Sequence, residues 1–65
     1  MVALTRRERQ LVEALATGSP RQEIADQMHI SINTLKKQLV ALYRKLDART
    51  RDEALARLRE RGFIQ

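Results

Sequence analysis

The sequence contains no cysteine, one proline, two glycines and only two aromatic residues. Without cysteine, neither a disulfide framework nor a thiolate metal site can stabilise a chain of 65 residues. No apolar run approaches membrane-spanning length, and the first residues lack the apolar region of a secretory signal. We therefore expect one small cytoplasmic domain that is held together by helix packing.

Residues from which catalytic sites are assembled are also scarce. The chain has a single histidine and no evident pair of carboxylates that could share a pocket. A chain this short also has little room for a substrate cavity. We expect neither an enzyme nor a site for a cofactor or a metal ion.

Negative charge is missing from one segment in particular. Thirteen Lys and Arg residues against eight Asp and Glu give a net charge of +5, a balance that is common in proteins that bind polyanions. Residues 29–46, HISINTLKKQLVALYRKL, contain four of these cations and no carboxylate. A face that only solubilises a helix normally mixes both signs, because Glu–Lys pairs one turn apart stabilise the helix. The segment therefore favours a surface that faces phosphate groups over a merely solvated face.

Four helices are predicted from the signals at their ends. Three residues stand three positions before Glu or Gln, the spacing of a capping box: Thr5, Ser19 and Thr50. Ser31 offers a fourth N-cap, and the two glycines, Gly18 and Gly62, follow predicted helix ends. The predicted helices lie near 6–17, 20–28, 32–46 and 51–61.

Apolar spacing indicates how these helices pack. A stripe at about 100° per residue predicts the core-facing side of the third helix: Leu35, Leu39, Leu42 and Leu46. Only MHIS, residues 28–31, joins the second helix to the third, and so short a connection is typical of a helix-turn-helix. The predicted fold class is therefore all-α, a four-helix bundle that contains a helix-turn-helix.

The side of the third helix away from the leucines is polar, cationic or small. Stepping about 100° per residue places five residues there: Asn33, Lys37, Val40, Ala41 and Arg44. One flank carries Thr34, Gln38 and Lys45, and the other carries Lys36 and Tyr43. Lys and Arg release counterions from phosphates, Asn and Thr can bond to phosphates or base edges, and small apolar side chains can lie against thymine methyls. This face is therefore a candidate DNA-binding surface, to which Arg21 on the second helix could add a phosphate contact.

Four stretches of the chain, in order and at matching separations, carry a family resemblance: LTRRERQLVEALATG, EIADQMHIS, NTLKKQL and LYRKLDARTRDEAL. From Leu4 to Ile64 the sequence resembles the DNA-binding domain of LuxR-type (LuxR/GerE/NarL) response regulators. The resemblance implies a domain of four helices without a wing, over residues 1–65, that inserts its third helix into the major groove of double-stranded DNA. It also implies the C-terminal output domain of a longer bacterial regulator at the nucleoid, with Met1 either a native start or the edge of an excised fragment.

The resemblance assigns DNA contacts to four positions of the third helix: Thr34, Lys36, Lys37 and Lys45. Of these, Lys37 matches a position that often touches bases, and Lys45 matches one that contacts the DNA backbone in relatives. Gln38 and Ala41 stand where the family usually has His and Asn, so the usual sequence preference cannot be assumed. His29 replaces the turn glycine, in a left-handed conformation that histidine tolerates better than most residues do.

The resemblance also implies a homodimer through the fourth helix, for which the candidate residues are Leu55, Leu58 and Phe63, and it leaves open a contact with RNA polymerase. Glu8 and Arg51 fit positions with structural roles, as ion pairs or caps, whereas Tyr43 is as much a core-edge residue as a phosphate donor. Two alternative functions remain: a protein-interaction module that uses helix 51–61, and the promoter-element-binding region of a sigma factor, which shares the helix-turn-helix.

Overall fold

A computed structural model describes residues 3–65, which fold into four α-helices with no strand among them. The helices are α1 Arg6–Ala16, α2 Arg21–Gln27, α3 Ile32–Lys45 and α4 Arg51–Glu60. The predicted all-α fold is confirmed, and no predicted helix end differs from the observed one by more than one residue. The first two residues of the predicted domain 1–65 lie outside the described part of the chain.

Hydroxyl side chains cap three of the helices at their N-termini. At α1 the capping box is complete, because Thr5 Oγ1 accepts from the Glu8 N–H at 3.1 Å and Glu8 Oε1 accepts from the Thr5 N–H at 2.9 Å. Ser31 and Thr50 each accept one backbone N–H from the third residue of the helix that follows, both at 3.1 Å. These bonds satisfy donors that the first turn of a helix otherwise leaves unpaired.

The capping box predicted at Ser19 is wrong. Pro20 is the N-cap of α2, with φ −61° and ψ 152°, and it has no side-chain cap. Because Pro20 is extended, the helix begins at Arg21 and Ser19 lies one residue too early to cap it. The Ser19 hydroxyl instead lies 2.9 Å from that of Thr17.

Helices α2, α3 and α4 end in the same hydrogen-bonded turn. The residue after each C-cap is left-handed: His29 at φ 58°, Asp47 at φ 54° and Gly62 at φ 80°. The next N–H then donates to the carbonyl five residues earlier: Ile30 to Ala25 at 3.0 Å, Ala48 to Tyr43 at 2.9 Å and Phe63 to Leu58 at 2.9 Å. Each donor residue also packs its side chain against the core. The turn between α2 and α3 thus has a fixed geometry, and the left-handed conformation predicted for His29 is confirmed.

The core is entirely apolar within the described residues, and all four helices contribute to it. Its buried members are Leu11, Val12, Leu15, Ile24, Ala25, Leu35, Leu39, Leu42, Leu46, Ala54 and Leu58. The predicted leucine stripe of α3 is confirmed, since none of its four side chains is more than 1% exposed. Helix α3 packs against α2, and α1 packs against both α2 and α4.

Leu58 has no surface to offer a second copy of the chain, and its assignment to a dimer contact is therefore corrected. Its side chain is fully buried in the core of a single chain. Arg51, in contrast, has the predicted structural role: its Nη2 donates to the Leu15 carbonyl at 2.9 Å and so ties the start of α4 to the end of α1.

None of the helices in residues 3–65 has the length and apolarity to cross a bilayer.

Candidate nucleic-acid interface

Helix α3 presents one side to the core and the rest of its circumference to solvent. All the residues of α3 predicted to contact DNA are exposed: Asn33, Thr34, Lys36, Lys37, Val40, Ala41, Arg44 and Lys45. Arg21, predicted from α2, is exposed as well. Val40 is 51% exposed, the one large apolar side chain among residues 3–65 that is so open to solvent. An apolar residue in the middle of a cationic face is suited to a ligand that has both charged and apolar groups, as the edges of DNA do.

The charge of this face is not balanced within the helix. No carboxylate occurs in α3, so its cations have no i,i+4 partner there. Arg44 and Lys45 lie in the last turn, where the helix dipole favours cations. Lys36 and Lys37 have no such compensation, and an anionic ligand would relieve their mutual repulsion.

Two grooves flank the exposed face of α3. The first, of about 330 Å³, lies between the start of α2, α3 and the turn after α3, and we refer to it as the arginine groove; it is lined by Arg21, Lys36, Leu39, Val40, Tyr43 and Arg49. The second, of about 190 Å³, lies between α1 and α3, and we refer to it as the α1 groove. It is lined by Thr5, Arg7, Glu8, Leu11, Gln38 and Ala41. Only the α1 groove has a carboxylate in its lining.

That carboxylate forms an ion pair with a predicted DNA contact. Lys45 Nζ lies 2.6 Å from Glu8 Oε1 and 3.1 Å from the Ala3 carbonyl oxygen. The hydrogen bond from Lys45, followed by the one from the Thr5 backbone, lowers the pKa of Glu8 below its ordinary value. Glu8 therefore has the predicted structural role, as both cap and ion-pair partner. An ammonium group has three donors, so one donor of Lys45 is left unused by these two bonds.

Two polar side chains beside this face are partly withdrawn from solvent. The Tyr43 hydroxyl and the Gln38 carbonyl oxygen are both buried, and neither has a hydrogen-bond partner within residues 3–65. Of the two roles left open for Tyr43, the structure favours the core edge, because a buried hydroxyl cannot reach a phosphate without moving. Gln38 borders the α1 groove beside Ala41, the other position that departs from the family pattern.

Arg49 lines the arginine groove and Arg7 lines the α1 groove, but neither was among the predicted contacts. Arg49 follows α3 by four residues, and the left-handed Asp47 turns the chain so that Arg49 returns to the groove beside α3. Arg7 lies in the first turn of α1, and its Nη2 is 3.5 Å from the Met28 carbonyl oxygen. The excess of arginine was visible in the sequence, but neither position could be assigned to a face before the turns were known.

A four-helix bundle with a short helix-turn-helix connection and an acid-free exposed helix defines the class of helix-turn-helix DNA-binding domains. The profile of the family described as "Bacterial regulatory proteins, luxR family" matches residues 2–58. The chain belongs to this family.

Several bacterial proteins described as transcriptional regulators are similar to the chain. It is 32% identical over 62 residues to the transcriptional regulatory protein DesR of Bacillus subtilis (strain 168), a match that covers 95% of this chain and 31% of DesR. It is 36% identical over 53 residues to the CsgBAC operon transcriptional regulatory protein of Escherichia coli (strain K12), covering 82% and 24% of the two chains. It is 38% identical over 56 residues to the probable HTH-type transcriptional regulator GfsR of Streptomyces halstedii, covering 86% and 23%.

The chain thus spans about a third or less of the length of these relatives. The comparison with solved structures gave no significant match.

Proposed function

We propose that this domain binds double-stranded DNA sequence-specifically, as the DNA-binding part of a bacterial transcription regulator, with α3 in the major groove. The observation that carries the proposal is the exposed face of α3, which is cationic, free of carboxylates and apolar at Val40. Membership of the luxR family favours a regulator over the promoter-element-binding region of a sigma factor. The bacterial nucleoid is the corresponding location.

The dimensions of α3 suit this role. A helix with its side chains is about 10–12 Å across, and the major groove of B-DNA is about 12 Å wide. The 14 residues of α3 extend over roughly 21 Å at about 1.5 Å per residue. Because the leucine side is fixed to the core, only the face around Lys37 can point to the floor of the groove.

The exposed side chains divide into base-reading and backbone-binding groups by their position on α3. Asn33, Lys37 and Arg44, opposite the leucines, are placed to reach base edges, with Val40 and Ala41 available to thymine methyls. The backbone-binding group lies at the flanks: Thr34, Lys36, Lys45 and Arg21. Lys45 contributes with the single donor that Glu8 and Ala3 leave unused.

A homodimer that reads paired half-sites is the finer part of the proposal. Leu55 of α4 and Phe63 after it are partly exposed and pack against the edge of the core. A second copy could cover these side chains and set two α3 helices about one helical turn of DNA apart. A contact with RNA polymerase belongs to the whole regulator, and no surface of the domain is assigned to it.

The test is a binding titration with two labelled duplexes, one selected by the domain from a random-sequence library and one of the same composition in shuffled order. We expect tighter binding to the selected duplex and an affinity that falls steeply as salt rises. Lys37→Ala should weaken binding to the selected duplex about tenfold and reduce the preference for it. Arg61→Gln removes one charge from an exposed residue at the end of α4 and serves as the control.

Binding that does not depend on salt, or a Lys37→Ala domain indistinguishable from the Arg61→Gln domain, would refute the proposal.

A further inference from the structure

The two flanks of α3 differ in charge, although both carry basic residues. The arginine groove brings together three cations from three parts of the chain: Arg21 from α2, Lys36 from α3 and Arg49 from the turn before α4. The α1 groove also borders cations, but Glu8 lies in its lining and pairs with Lys45. The arginine groove is therefore the more strongly positive of the two.

The cations of the arginine groove are also uncommitted. None of the three side chains makes an ion pair or a side-chain hydrogen bond with another residue in the range 3–65. The other residues that line the groove, Leu39, Val40 and Tyr43, carry no charge. Three cations held around one depression without an internal counterion indicate a site for an external anion.

The position of the groove identifies that anion. When a helix lies in the major groove, the two sugar–phosphate backbones run along its two flanks. The arginine groove follows the flank of α3 that carries Lys36 and Tyr43, two turns apart along the helix, and it borders Val40 on the side away from the leucines. An anion in this groove would thus lie beside the helix rather than under it, which is where a backbone phosphate lies and a base edge does not.

We infer that the arginine groove seats the phosphate backbone of one DNA strand, and that Arg49 is a phosphate-binding residue in it. The inference rests on the proposed function. It adds to that function a phosphate-binding residue outside the helix-turn-helix and a difference in the number of free cations that contact each DNA strand. The strand beside the arginine groove meets three free cations. The strand beside the α1 groove meets Lys45, which is paired with Glu8, and Arg7, which donates to the Met28 carbonyl oxygen.

Arg49→Gln tests the inference in the same two-duplex titration. It should weaken binding to the selected and shuffled duplexes by the same factor, about five- to tenfold near 0.1 M salt, because a phosphate contact carries no sequence information. The slope of log affinity against log salt should become shallower by about 0.9, the value for one phosphate contact. Arg49→Lys should restore most of the slope, and Arg61→Gln should change affinity about twofold or less.

A scan of the selected duplex with neutral methylphosphonates locates the contact. One or two adjacent substitutions on a single strand should weaken the unmodified domain and have no further effect on Arg49→Gln. Circular dichroism should match that of the unmodified domain, and the unfolding midpoint should not fall, since the Arg49 side chain supports no internal bond in residues 3–65 and its removal only reduces repulsion among the cations.

The two proposals fail in different ways. If the unmodified domain shows no salt-dependent DNA binding, the proposed function is wrong. If it binds as proposed but Arg49→Gln behaves as Arg61→Gln does, or lowers affinity for the selected duplex alone, then Arg49 is not a phosphate-binding residue and only the inference is overturned.

Discussion

At the scale of single residues, His29 and Asp47 hold a backbone conformation that is unfavourable for any side chain with a Cβ. Both are left-handed, His29 at φ 58° and Asp47 at φ 54°, and this region costs an L-residue roughly 1–2 kcal/mol. Asp47 offsets part of this cost because Asp and Asn adopt the left-handed region more readily than most residues. His29 is the costlier of the two, and it lies in the turn that sets the angle between α2 and α3.

His29→Gly should therefore stabilise the domain. Glycine adopts the left-handed conformation without strain, which stabilises the folded state. Part of this gain is offset because glycine has more conformational entropy in the unfolded chain, so we expect the free energy of unfolding to rise by about 0.5–1 kcal/mol. Urea unfolding followed by circular dichroism measures the change. His29→Val is the matched control and should lower the free energy of unfolding, because a β-branched residue tolerates this region least. A His29→Gly domain less stable than the original would show that the imidazole stabilises the turn in a way that the φ angle does not reveal.

At the scale of elements, the Glu8–Lys45 pair joins the first turn of α1 to the last turn of α3. Lys45 lowers the pKa of Glu8 in the folded chain relative to the ordinary value of 4.5. A carboxyl group with a lowered folded pKa stabilises the fold at pH values above its unfolded pKa, and that contribution is lost as pH falls through the folded pKa. The junction between α1 and α3 should thus weaken in acid.

Glu8→Gln isolates this contribution, because the amide oxygen can still accept from the Thr5 N–H and keep the capping box. At neutral pH we expect the free energy of unfolding to fall by about 0.5–1 kcal/mol, the modest value of a pair that solvent reaches. Unfolding curves recorded from pH 7 downwards should show the free energies of unfolding of the unmodified and Glu8→Gln domains converging below pH 4.5. A constant difference at every pH would mean that the Glu8 charge is not responsible.

The elements also show how far the sequence could predict the structure. Hydroxyl caps and leucine spacing act within one or two turns, so they predicted the starts of α1, α3 and α4 and the buried side of α3. The cap predicted at Ser19 is wrong because the extended Pro20 takes the N-cap position of α2. The dimer contact predicted for Leu58 is wrong because an apolar residue suits a core and a dimer surface equally well, and the sequence does not distinguish the two. Arg49 could not be placed, since its position beside α3 depends on the left-handed turn at Asp47 and not on any periodicity.

At the scale of the whole molecule, the excess of positive charge should give stability a dependence on salt that reverses when DNA is present. The net charge is +5, and residues 3–65 contain only two ion pairs, Glu8–Lys45 and Arg57–Glu60. In the free domain, salt screens repulsion among the cations of α3 and the arginine groove more than it weakens these two pairs. The melting temperature of the free domain should therefore rise by a few degrees between roughly 0.02 and 0.3 M salt.

Bound DNA should change the sign of this effect. A ligand present at about 100 times its Kd adds roughly 2.7 kcal/mol to the stability of the folded state, which for a domain of this size raises Tm by about 10 °C or more. Salt weakens DNA binding steeply, so in the presence of the selected duplex Tm should fall as salt rises and approach that of the free domain. Differential scanning calorimetry with and without the duplex measures both trends. We interpret these trends to mean that cations without an internal partner repel one another and limit the stability of this fold until an external anion binds. A free domain that melts at a lower temperature in higher salt would contradict this interpretation.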